Sequence, residues 1–79
     1  MKVTLYTKAE CGLCAEAEET LIRVRKLIPF EAEFVYIDDD DELHERYGQR
    51  VPVVVVDGKE VASAPVDGAR LQAVLSSAV

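Results

Sequence analysis

Cys11 and Cys14 stand three residues apart in a chain of 79 residues that has no other cysteine. Thiols at this spacing can do two kinds of chemistry: they can exchange electrons with disulfides as a dithiol pair, or they can share in holding a soft metal ion. Random placement of two cysteines in such a chain gives this spacing in about one arrangement in forty, before any structural context is required. The surrounding sequence supplies that context. Val3-Thr4-Leu5-Tyr6-Thr7, rich in β-branched and aromatic residues, reads as a strand. After a break at Lys8-Ala9-Glu10, the residues Cys14, Ala17, Leu21, Val24 and Ile28 recur at steps of three and four, which predicts one buried stripe of a long helix ending at Pro29. The cysteines therefore fall where a strand ends and a helix begins.

That position gives the two sulfurs different properties. Cys11, at or near the helix N-cap, faces free backbone N–H groups and the positive end of the helix dipole, which favour thiolate and lower its pKa below the usual ~8.5. Lys8 pushes in the same direction and Glu10 against it. Cys14 belongs to the apolar stripe, where desolvation favours the thiol. In the implied cycle the Cys11 thiolate attacks a substrate disulfide to form a mixed disulfide, and Cys14 then attacks Cys11 to release the reduced substrate. An external reductant must restore the dithiol, which makes the cycle ping-pong. No metal site is expected, because a structural zinc needs about four ligands. The only histidine, His44, sits among Glu42, Glu45 and Arg46 on a separate short helix and is expected to face solvent. Two alternatives remain: a non-catalytic binding module whose acidic surface docks a basic partner, or a carrier of a metal or iron–sulfur cluster on the same cysteines.

The elements that must position the pair follow from the rest of the chain. Glutamates at 16, 18 and 19 and bases at 23, 25 and 26 run along the first helix in the order its dipole favours. Phe34-Val35-Tyr36-Ile37 reads as a second strand covered on both faces. Asp38 to Asp41 end it; without a glycine at the sixth position this is no calcium loop, and Asp41 is expected to cap a short helix that stops at Gly48. Val53 to Val56 form a third strand, Asp57-Gly58 a two-residue hairpin, and Lys59 to Ala62 the returning fourth strand. Asp67 caps a last helix carrying Leu71, Val74 and Leu75. Tyr6 and Tyr36 are expected to be core or sheet-face aromatics rather than ligand platforms. The order β-α-β-α-β-β-α predicts an α/β fold with a four-stranded mixed sheet and helices on both faces.

Composition limits the rest. At 79 residues, 49% apolar and 30% charged, the chain makes one small domain spanning residues 1–79. Its net charge of -6 disfavours nucleic acid and anionic membrane surfaces as partners. The first residues are too short and polar for a signal segment, and no apolar run approaches the length of a membrane helix. A cytoplasmic, reducing setting is expected, where a close cysteine pair means redox or metal chemistry more often than a staple.

Taken together, the first strand, Cys11-Gly12-Leu13-Cys14 at the helix start, Val51-Pro52 opening the third strand, the Asp57-Gly58 hairpin and the final helix resemble the glutaredoxin branch of the thioredoxin-like fold. Leu5-Tyr6-Thr7 and the run Arg50 to Val55 resemble the small bacterial glutaredoxin-like proteins most. The resemblance covers nearly the whole chain. It implies a thiol-disulfide oxidoreductase with Cys11 and Cys14 as catalytic residues and a cis peptide bond before Pro52, beside the pair. It further implies that Val51 offers its backbone N–H and C=O to an extended substrate, and that Lys8, Arg50 and Gln49 line a glutathione groove. The implied partners are a disulfide-containing protein or small molecule, with glutathione or a thioredoxin-reductase-type enzyme as reductant and no bound cofactor. Two departures stand out: Ala62-Ser63-Ala64-Pro65-Val66-Asp67 replaces the family's Gly-Gly-Asp loop for the glutathione carboxylate, and Leu13 replaces the common aromatic residue between the cysteines.

Overall fold

Alternation of side chains along β1 (Lys2–Thr7) sends Val3, Leu5 and Thr7 into the interior and leaves Thr4 and Tyr6 half-buried. The computed structural model describes residues 2–63 and 66–78. After β1 come α1 (Gly12–Leu27), β2 (Glu31–Tyr36), a 3-10 turn (Ile37–Asp39), α2 (Asp41–Tyr47), β3 (Val53–Val56), β4 (Lys59–Ser63) and α3 (Gly68–Ala78). The predicted order is therefore present. The sheet runs β2-β1-β3-β4. Parallel pairing joins β1 to β2 from Lys2 opposite Glu31 to Thr7 opposite Tyr36, and antiparallel pairing joins β1 to β3 and β3 to β4.

The main core gathers Val3 and Leu5 from β1, Ala17, Leu21 and Val24 from α1, Phe30 from the segment before β2, Val54 and Val56 from β3, and Leu71 and Leu75 from α3. Helices α1 and α3 thus cover one face of the sheet. On the other face Tyr6 stacks on Tyr47 of α2, ring centroids 4.5 Å apart. This places helices on both faces, as the strand order requires.

The hairpin forms as its residues dictate. Asp57 and Gly58 both take positive φ, 49° and 86°, the signature of a type I′ turn whose twist matches the flanking strands. The Asp57 N–H donates to the Lys2 carbonyl at 3.1 Å, fastening the turn to the start of β1. Asp67 caps α3 by accepting from the Ala69 N–H at 2.9 Å and the Arg70 N–H at 3.4 Å. The Ala64-Pro65 part of the loop before it lies outside the described residues.

Four local expectations are corrected. β2 begins at Glu31 and ends at Tyr36, and it is an edge strand with Phe34 and Tyr36 exposed, because only β1 pairs with it. The apolar run at 34–37 is split: Ile37 leaves the strand for the 3-10 turn and is fully buried. Asp40, rather than Asp41, caps α2, its carboxylate accepting from the Leu43 N–H at 3.1 Å. Along α1 the bases do occupy the last turn, but no acid occupies the first, and Thr20 joins the buried stripe while Ile28 is only half-buried. Gly48 does end α2, yet with φ -53°; glycine is needed there because a Cβ would run into the His44 carbonyl oxygen.

Candidate active site

Three segments converge at the N-terminal end of α1. The loop from β1 brings Lys8, Ala9 and Glu10; the cap and first turn of α1 bring Cys11 and Cys14; and the segment after α2 brings Arg50, Val51 and Pro52. Glu10 turns the chain into the helix with a φ of 55°, a left-handed conformation uncommon for a residue with a side chain. The Asp38 carboxylate fastens this loop by accepting from the Ala9 N–H at 3.0 Å.

Cys11 is the N-cap of α1. Its extended backbone, φ -122° and ψ 114°, turns its sulfur back over the first helical turn, where the Cys14 N–H donates to it at 3.3 Å. A serine oxygen in this position would act as an ordinary cap; a sulfur gains the same donors and, when ionised, the helix dipole. The first turn carries no carboxylate to cancel that field. The Cys11 thiol is accordingly held below its ordinary pKa, first by a hydrogen bond from Cys14 and then by the Cys14 and Leu13 backbone N–H groups and the Lys8 cation, with desolvation opposing. Lys8 acts as expected.

Cys14 lies one turn on and is fully buried. It packs with Ile37 and Val51, flanked by Tyr6, Leu43 and Tyr47. Burial pushes its pKa up, and its hydrogen bond to Cys11 adds to the rise, while the Thr7 hydroxyl and the Lys8 backbone N–H pull against it. Both cysteines are free thiols in this structure, Cys11 half-buried and Cys14 buried.

The peptide bond between Val51 and Pro52 is cis, and Pro52 is fully buried. Val51 contributes its side chain to the apolar seat of Cys14. Its N–H is taken: it donates to the Tyr47 carbonyl at 2.9 Å, alongside the Arg50 N–H at 2.8 Å. The donor that the resemblance assigned to a substrate is thus used inside the fold. Arg50 lies over the Tyr47 ring at 5.9 Å and pairs with Glu60. Lys8, Gln49 and Arg50 do share a groove of about 600 Å³, together with His44, Glu45, Arg46 and Gly48. His44 faces solvent there, as expected. Leu13, between the cysteines in sequence, is 49% exposed.

Four residues that matter here escaped the sequence reading: Thr7, Ile37, Asp38 and Tyr47. Only Thr7 carried a signal, since strand parity puts its hydroxyl on the same inward face as Val3 and Leu5. Among the described residues no group of three or more His, Cys, Asp or Glu is placed to hold a metal ion, and no helix is long and apolar enough to cross a membrane.

The architecture is that of the thioredoxin-like class. A thioredoxin variant from Halobacterium salinarum shares the fold, with a TM-score of 0.72 at 22% identity over 96% of this chain and 72% of that one. Within the class, the chain belongs to the family described as "Glutaredoxin-like domain (DUF836)", whose model matches residues 2–76. The structural-genomics target protein XcR50 from X. campestris is 40% identical, with a TM-score of 0.83 over 98% of this chain and 99% of that one. Protein Ne2328 from Nitrosomonas europaea is 33% identical, with a TM-score of 0.77 over 94% and 89%. An uncharacterized protein of Mycobacterium tuberculosis is 31% identical over 77 residues, covering 91% of this chain and 79% of that protein.

Proposed function

We propose that the protein is a cytoplasmic thiol-disulfide oxidoreductase that works through a dithiol cycle. The observation that carries this reading is the asymmetry of the pair: a half-buried sulfur on a helix N-terminus, pKa lowered, followed one turn later by a fully buried sulfur, pKa raised. Inert structural thiols need no such difference, whereas a nucleophile and a resolving thiol do.

The Cys11 thiolate attacks one sulfur of a substrate disulfide; the Cys11–substrate bond forms, the substrate disulfide breaks and the first thiolate leaves. Cys14 then attacks the Cys11 sulfur, the intramolecular disulfide forms and the second substrate thiol is released. Two electrons and two protons pass to the substrate, and both cysteines end oxidised. The groove beside Lys8, where Lys8 and Arg46 outweigh Glu45, and Arg50 is paired with Glu60, suits a small anionic thiol such as glutathione as reductant; a thioredoxin-reductase-type enzyme is the second source of electrons.

The test is recovery of the dithiol. The oxidised protein is mixed with NADPH, glutathione and glutathione reductase, or with NADPH and thioredoxin reductase, and free thiols and NADPH are followed. Recovery through glutathione assigns the groove to it; recovery only through thioredoxin reductase assigns the protein to that system. Failure of both, with bound zinc or iron in the purified protein, sinks the redox reading in favour of a metal or cluster carrier.

A further inference from the structure

Thr7 is the last residue of β1, and its side chain is completely shielded from solvent. Strand parity gives it an inward position of the kind that Val3 and Leu5 fill with hydrocarbon, so the fold places a hydroxyl where an apolar group would pack. Among the described residues, Thr7 Oγ1 has no hydrogen-bond partner. A buried hydroxyl left unpaired costs stability, and such groups in native folds call for an explanation. Strand parity turns it toward α1, whose first buried side chain is Cys14, at the same end of the sheet; no hydrogen bond joins the two, and the hydroxyl acts to favour negative charge on that sulfur.

The need for such a donor arises midway through the cycle. In the resting dithiol the Cys14 N–H donates to the Cys11 sulfur at 3.3 Å. Once Cys11 is tied up in a mixed disulfide, Cys14 must ionise in the apolar seat formed by Ile37 and Val51. The titratable groups around it are Cys11 on its own helix, Lys8 on the preceding loop, Tyr6 from β1, Tyr47 from α2 and Tyr36 at the end of β2. The Asp38 carboxylate lies near Tyr36 and is engaged with the Ala9 N–H.

We propose that the Thr7 hydroxyl is the donor that stabilises the Cys14 thiolate as it attacks the mixed disulfide, its missing partner in the resting state being that charge. The inference rests on the dithiol cycle and deepens it. In the resolving step the Cys14–Cys11 disulfide forms, the Cys11–substrate disulfide breaks and the Cys14 proton ends on the departing thiol. Thr7 keeps its own proton throughout.

The aromatic disulfide 5,5′-dithiobis(2-nitrobenzoate) separates the two steps, because attack by Cys11 releases one coloured thiolate and resolution by Cys14 releases the second. In Thr7→Val the first phase stays within about twofold of wild type and the second slows by about ten- to a hundredfold, the loss of one hydrogen bond to a charged group. Thr7→Ser restores the second phase. Against a Cys11→Ser background, Thr7→Val raises the pKa of Cys14 by about one pH unit or more, read from thiolate absorbance. The reduced Thr7→Val protein melts at or above wild type, since an unpaired hydroxyl has gone. Thr7→Ala serves as the second variant should valine not be accommodated, with the same selective loss expected. An unchanged second phase, an equal slowing of both phases, or a serine variant as slow as the valine variant would overturn the role of Thr7. A wild-type protein that never releases the second thiolate would instead overturn the dithiol cycle itself.

Discussion

The same strand and helix serve two apolar clusters of different character. In the larger one β1 supplies Val3 and Leu5 and α1 supplies Ala17, Leu21 and Val24, and every buried member of it is a hydrocarbon side chain. In the smaller one, at the other end of the same elements, α1 supplies Cys14, which sits with Ile37 and Val51 and is flanked by Tyr6, Tyr47 and Cys11. The unpaired Thr7 hydroxyl lies at this end as well. One region satisfies every rule of a packed core; the other holds a thiol, phenols and an orphan donor. The contrast teaches that the hydrocarbon end fixes where the helix N-terminus sits, so that the other end can carry groups chosen for reactivity at some expense of stability.

The contrast is sharpest under substitutions made one in each region. Cys11→Ser is expected to lower disulfide reduction by about three orders of magnitude or more. Its chemical denaturation midpoint should stay close to that of the reduced wild type, because an oxygen can fill the same cap. A large loss of stability in this variant would show that the site end is also a structural keystone. Leu21→Ala works in the opposite sense: about 2–5 kcal/mol of stability is lost from the main core, measured by urea denaturation. In the fraction that remains folded, Cys11 should react with iodoacetamide at the wild-type rate. A slower Cys11 would mean that the two ends are not separable.

The smallest effect concerns charge. The Lys8 cation favours the Cys11 thiolate, so Lys8→Met should move the Cys11 pKa upward and leave less thiolate at neutral pH. Alkylation of Cys11 at pH 7 should slow by about two- to fivefold, since salt screens part of the field of this half-buried charge. In the wild type the sign of the two shifts predicts an order: as pH rises, Cys11 becomes reactive first, below the ordinary thiol range, and Cys14 only above it. Parallel alkylation profiles for the two cysteines would remove the asymmetry on which the comparison rests.

Much of the fold could be read before any coordinates. The period of the α1 stripe, the Asp57-Gly58 pair and the four valines of β3 each had one reading, and local geometry agreed with the global fold. The position of Cys11 at the helix start was equally legible, because the spacing and the strand before it left few other places for the cap. β2 was harder. Its apolar run suggested burial on both faces, but strand length and edge position are set by pairing with β1 from Lys2 opposite Glu31, where an ion pair between Lys2 and Glu33 forms at 2.9 Å. Four consecutive aspartates offered no pattern from which to choose the cap of α2; insertion of Ile37 among Cys14 and Val51 chooses it. The Val51 N–H could not be read as engaged, since its acceptor, the Tyr47 carbonyl, belongs to a helix end brought there by tertiary packing.

The division of labour between the two cysteines is tested most directly by trapping. Cys14→Ser and Cys11→Ser are each incubated at neutral pH with a small-molecule disulfide, and covalent adducts are followed over time by intact-mass spectrometry. The expected result is a single mixed disulfide that accumulates on Cys11 in the Cys14→Ser protein and persists, with adduct on Cys14 in the Cys11→Ser protein forming at least about a hundredfold more slowly. Equal rates for the two variants, or faster reaction at Cys14, would contradict the assignment of Cys11 as nucleophile and Cys14 as resolving thiol.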